Sequence, residues 1–150
     1  MSVDSDLRAG IAARITSVLS VAPRPRVFDF PQIRRNAADL LADFASLDDA
    51  NFIHAWQVGM VRTAPQKVVS QHPIGKIRTY QLSCWYQAGT TNGTYTDFLA
   101  AIEAVEKDLN ETQFSTQVKG LPVEFTIDPE VLDEILVYRA TTEITFNCQK

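Results

Sequence analysis

Two histidines, two cysteines and a set of carboxylates on one amphipathic stretch are the residues of this 150-residue chain whose types could carry chemistry. Metal ligation needs several His, Cys or carboxylate groups brought to one point. His54, in a strand-like stretch, and His72, in a loop, belong to no ligand-spaced motif, so each reads as a satisfied or solvent-facing imidazole. A nucleophilic Cys84 would need a histidine held by a third group, and the serines lack a glycine-flanked elbow. Glu103, Glu106, Asp108 and Glu111 fall on the outward side of a helix, where a solvated face explains them better than general acid–base work. The six glycines are scattered singly, and GTTNG at 89–93 lacks the lysine and spacing of a phosphate loop, so it reads as a turn. Trp56 and Trp85 have no basic residues interleaved with them and suit sheet or interface packing rather than base stacking. These residues point to no cofactor, no metal and no catalytic site.

The elements that must position them are legible in hydrophobic period. From Leu136 to Cys148, Leu136, Tyr138, Ala140, Thr142, Ile144, Phe146 and Cys148 form one largely apolar row; Val137, Arg139, Thr141, Glu143, Thr145 and Asn147 form a mostly polar one. A period of two sustained that long describes a strand of an antiparallel sheet covered on one face. Arg78 to Gln87 repeats the pattern, with Tyr80, Leu82, Cys84 and Tyr86 inward and Trp85 the one bulky apolar residue on the polar side. Cys84 and Cys148 lie on the apolar rows and read as reduced core thiols. Asn51 to Arg62 is apolar on both faces, which predicts a central or doubly covered strand. Thr63 to Lys76 (TAPQKVVSQHPIGK) breaks the pattern with two prolines and a glycine, and is longer than a hairpin needs. It is expected to project as an arm, with Pro65, Val68, Val69, His72, Pro73 and Ile74 as candidate contact residues.

Three helices are predicted. The first, capped by Asp4 or Ser5, carries Leu7, Ile11, Ile15, Val18 and Leu19 at helical spacing and ends before Pro23 and Pro25, after which Arg26 to Phe30 is a short extended piece. The second has the stripe Ala37, Leu40, Leu41, Phe44 and Leu47. The third opens at Thr94 with Asp97 three residues on, packs Phe98, Ile102, Val105 and Leu109, and turns Glu103, Glu106, Lys107 and Asn110 outward. Leu121 to Ile127 is expected as a short edge strand and Asp128-Pro129 as the start of one helical turn. The predicted class is α+β: one domain over 1–150, a mostly antiparallel sheet with helices packed on one face, and a long hairpin arm.

Composition narrows the functional classes. At 45% hydrophobic and 21% charged residues, the profile is that of a globular protein, and no apolar run approaches a membrane span or a signal peptide. A net charge of −4 argues against general binding of nucleic acid, and the basic pairs Arg24/Arg26 and Arg34/Arg35 are flanked by proline or by Asp29 and Asp39. A cytoplasmic site of synthesis is expected.

Five segments in order carry a resemblance: LRAGIAARITSVL, the proline-bounded PRVFDF, the hairpin strand KIRTYQLSCWYQAG, the turn and helix TNGTYTDFLAAIEAVEKDL, and the closing LVYRATTEITFNC. In that arrangement the chain resembles the tail terminator (tail completion) proteins of tailed bacteriophages, over nearly its whole length. The resemblance implies a virion subunit that forms a ring, typically a hexamer. Such a ring caps the tail tube, ends its polymerisation and offers a surface to the head–tail connector protein. The implied partners are copies of itself, the tube protein and the connector, with DNA only as a passing cargo and no membrane. In a ring, Val68, Val69 and Ile74 would be covered by a neighbour; without one they would pack back on the parent domain. Another neck, head–tail joining or minor tail protein would share the element order. A small-molecule-binding α+β domain is the alternative of a different class, which a pocket lined by His54, Trp56, Tyr80 and Glu143 would favour.

Overall fold

The structure is a computed structural model and describes residues 3–31, 42–65, 76–89, 92–112, 118–119, 123–132 and 135–148. Its elements in chain order are α1 (Val3–Val18), β1 (Arg26–Phe28), β2 (His54–Pro65), β3 (Lys76–Gln87), α2 (Asn92–Glu111), β4 (Val118–Lys119), β5 (Thr126–Leu132) and β6 (Ile135–Cys148). The strands make one six-stranded sheet in the order β1-β2-β3-β6, and the far side of β6 is shared by β5 and β4. Only β1 with β2 is parallel; the other pairs are antiparallel. The class is therefore α+β with a mostly antiparallel sheet.

Period-two patterning sets the register. Tyr80, Leu82, Cys84 and Tyr86 of β3 lie opposite Ile144, Thr142, Ala140 and Tyr138 of β6, so both apolar rows share one face. Onto that face α1 brings Leu7, Ile11 and Ile15, and α2 brings Phe98, Ile102, Val105 and Leu109, all buried in one core. Burying side chains of this size contributes about 1.5–3 kcal/mol each before entropy is subtracted. Tyr86, Phe98 and Tyr138 form a run of ring contacts where β3, α2 and β6 meet.

The opposite face of the sheet carries a smaller core of Phe44, Ile53, Ala55, Trp85 and Val137. Its centre is Phe44 stacked on Trp85, ring centroids 4.9 Å apart. This accounts for the bulky residue on the polar row of β3, and for β2 being apolar on both faces: Ala55 faces one core while Trp56 and Val58 face the other. Farther along β2, Pro31 crosses close to Gly59, where a Cβ would lie 2.9 Å from the proline ring.

Several expectations are corrected. Asp4 is not a cap, because α1 begins at Val3; its carboxylate lies in the first turn and pairs with Arg8 one turn on. Residues 42–44 are helical, but Ala45 already bridges Ile53, so Leu47 leaves the predicted stripe and is exposed. Ala37, Leu40 and Leu41 lie outside the described residues. α2 starts at Asn92, two residues before Thr94. Asp128 and Pro129 belong to β5 rather than to a helical turn, because Pro129 sits on an edge strand where a missing N–H leaves no central ladder bond unmade. Leu136, on the inward row of β6, is exposed because it lies beyond the region that the helices cover. The arm is shorter than predicted: Thr63, Ala64, Pro65 and Lys76 are strand residues, with Pro65 opposite Lys76. A bulge at Met60/Arg62 precedes this extension. Only the ten residues 66–75 separate the strand ends.

Candidate functional site

The chemistry-bearing residues fall at different places. His54 begins β2 and is buried, with its Nδ1 2.8 Å from the Pro23 carbonyl oxygen and its Nε2 3.1 Å from the indole nitrogen of Trp56. The indole N–H can only donate, so Nε2 accepts and the proton resides on Nδ1, which donates to Pro23. Burial pushes the imidazole down to about 4, and the Pro23 hydrogen bond opposes this only in part. Both nitrogens are committed, which leaves neither for a substrate. Tyr86 lies edge-on to the same ring, and burial, helped by Asp97, pushes its phenol up to about 12.

Cys84 is a fully buried free thiol on the core face of β3, and burial pushes it well above its ordinary range. A thiol held neutral is a poor nucleophile. Among the described residues no group of three His, Cys, Asp or Glu residues is arranged to hold a metal. His54, Trp56, Tyr80 and Glu143 do not line a common pocket: Trp56 and Tyr80 are fully buried in the core, whereas Glu143 is exposed on the opposite row of β6.

The charged residues act as clamps between elements. Arg14 of α1 grips Asp108 of α2 through Nε at 2.9 Å and through Nη2, which holds the Asp108 carboxyl below its usual range. Arg24 and Asp48 are joined through the guanidinium and through the Arg24 backbone N–H at 2.7 Å. Asp4 accepts from Arg8, and although burial works against its ionisation, hydrogen bonds from Arg8 and Tyr80 outweigh it and keep the carboxyl low.

Sequence reasoning missed the work of the outward face of α2. Asn110 donates to the Val123 carbonyl and accepts from the Val123 N–H at 2.7 Å, and Glu106 accepts from the Phe125 N–H at 2.9 Å. These side chains fasten the segment that leads into β5. The signal was a polar face opposite a stretch with an apolar residue at every second position, Val123, Phe125 and Ile127.

Of the predicted arm contacts, Pro65 closes β2; Val68, Val69, His72, Pro73 and Ile74 lie outside the described residues. The described surface bears a second apolar feature. Val131 and Leu136 face one another across β5 and β6 and are 65% and 50% exposed. Pro129 and Tyr138 form the adjacent pair on the same face, and Tyr95 of α2 packs edge-on against Tyr138.

No family model matches the chain, and no curated protein matches it. Among solved structures, a protein whose description states no function aligns with a TM-score of 0.54 at 13% identity, covering 100% of this chain and 99% of that one. At that identity the likeness is one of fold.

Proposed function

We propose that this protein is a structural virion subunit that forms a ring, most simply a hexamer, on the end of a bacteriophage tail tube. The ring ends tube polymerisation and presents its other face to the head–tail connector, while DNA passes through. The observation that carries this reading is the β2–β3 hairpin. Its strands stay paired to Pro65 and Lys76, at the end of the sheet opposite the Leu132–Ile135 pair of β5 and β6. A ring needs two different surfaces on one subunit, and such a hairpin supplies one of them. The resemblance of five ordered segments to tail terminator proteins supports the same reading. No helix of the described residues is long and apolar enough to cross a membrane.

The test is negative-stain imaging and native mass spectrometry of the purified protein, followed by polymerisation of a phage tail tube subunit in its presence. Rings, and tubes that stop growing when the protein is added, are expected. Replacing residues 66–75 by Asn-Gly should keep the circular dichroism spectrum and abolish both effects. A monomer at every concentration, with no effect on tube length, would overturn the proposal.

A further inference from the structure

The stretch from Pro23 to Phe28 carries the chain from the end of α1 into β1 and is held along two sides. Residues 45–48 grip one side. Asp48 accepts from the Arg24 backbone N–H at 2.7 Å and from Arg24 Nη2 at 2.9 Å. The Ser46 hydroxyl and the Leu47 N–H donate to the Arg24 carbonyl at 2.7 and 2.9 Å, and Arg26 Nε donates to that of Ala45 at 2.8 Å. On the other side is β2, with which β1 pairs for three residues only, Arg26 to Phe28 against Ala55 to Gln57. One residue before that short ladder, His54 holds the Pro23 carbonyl through Nδ1–H. β1 is the edge of the sheet, so this strip can leave β2 without breaking a bond of the β2–β3 or β3–β6 ladders.

His54 keeps its hold only while neutral. Its Nε2 accepts from the Trp56 indole N–H, and Trp56 is fixed, being fully buried with the Phe125 ring edge-on at 5.6 Å. A proton on Nε2 sets donor against donor and places a charge among buried groups. The neighbours do not offset it. Tyr86 of β3 faces the ring as a neutral phenol, and Asp97 of α2 bears on that phenol. Beyond Pro23, the charges of Arg24 and Asp48 are paired with each other. A charged ring gains solvation by turning out past Pro23, where Ala22 and Arg24 are already exposed, and so gives up the strip. We propose that His54 is an acid-sensitive latch: neutral, it holds Pro23–Phe28 against β2, and protonated, it releases that strip while the sheet of β2, β3 and β6 stays folded. Asp48 is a second lock with a different range, because the Arg24 guanidinium keeps its carboxyl charged below the ordinary carboxylate range, while His54 has already titrated.

The test is amide hydrogen exchange of the full chain at pH 7 and at about pH 4.5, each rate normalised to the unstructured rate at that pH. With the imidazole at about 4 in the closed strip and 6.5 once freed, the open population of Arg24 to Phe28 should rise about fiftyfold. Amides of β3 that pair with β6 should keep their protection. His54→Gln, whose amide can donate and accept but does not titrate, should abolish the rise. Asp48→Asn should speed exchange in the strip by a similar factor at both pH values and leave the rise in place. An equal rise in His54→Gln, or protection lost to the same extent across β3 and β6, would overturn the latch. So would a wild-type His54 ring that titrates by NMR without faster exchange at Arg24 to Phe28, a result that needs no variant.

Discussion

His54 and Trp56, two residues apart on β2, are joined by an indole N–H to imidazole hydrogen bond of 3.1 Å, which fixes His54 as the neutral tautomer that donates to Pro23. Protonating Nε2 would set two donors against each other in a site without solvent. The folded-state pKa of about 4 lies below the ordinary 6.5, so between those values the unfolded chain binds a proton that the native chain refuses. Stability is thus fully present above about pH 6.5 and is lost as pH falls toward 4, by about 2–4 kcal/mol. Urea midpoints measured across pH 4–7 should show this slope, and His54→Gln should flatten it. An unchanged slope in the variant would assign the acid sensitivity to other groups.

The helix α2 is expected to be sensitive on both faces. Ile102→Ala removes a buried side chain from the main core and should cost about 2–5 kcal/mol. Asn110→Ala strips both hydrogen bonds from Val123 and should cost about 1–3 kcal/mol, whereas Glu103→Ala, on an exposed position of the same helix, should stay within about 0.5 kcal/mol. Chemical unfolding of the three variants checks the order. Equal values for Asn110→Ala and Glu103→Ala would mean that α2 does not hold the 123–125 segment.

Phe44→Ala opens the small core over Trp85 and should destabilise the protein by about 3–5 kcal/mol. In a Trp56→Phe background, the emission of Trp85 should move to longer wavelength with it. Emission that does not move would place Phe44 elsewhere than on the indole.

With Cys148 replaced by serine, the Cys84 thiol should resist an aromatic disulfide reagent in the native state and react only through unfolding, because it is buried and held neutral. Its labelling rate should rise with urea in step with the unfolded fraction. Fast labelling of the native protein would show that β3 opens locally.

The hydrophobic period alone determined which face of β3, β6 and α2 is buried, because a strand of period two or a helix of period 3.6 can bury only one set of its residues. Tyr80, Leu82, Cys84 and Tyr86, and Phe98, Ile102, Val105 and Leu109, were legible for that reason. The even-numbered row beginning at Leu136 was legible as a row, but the pattern does not say where the helices stop, and Leu136 lies past their cover. Only the tertiary structure decided what lies on the polar faces. Phe44 reaches Trp85 across forty-one residues, Asp108 meets Arg14 across ninety-four, and Asn110 is committed to the backbone of Val123, none of which local spacing encodes. The same holds for the candidate site. That the strand ends Pro65 and Lys76 stand at the opposite end of one sheet from the exposed pair Val131 and Leu136 follows from the antiparallel register of β3 on β6, which is fixed by long-range pairing.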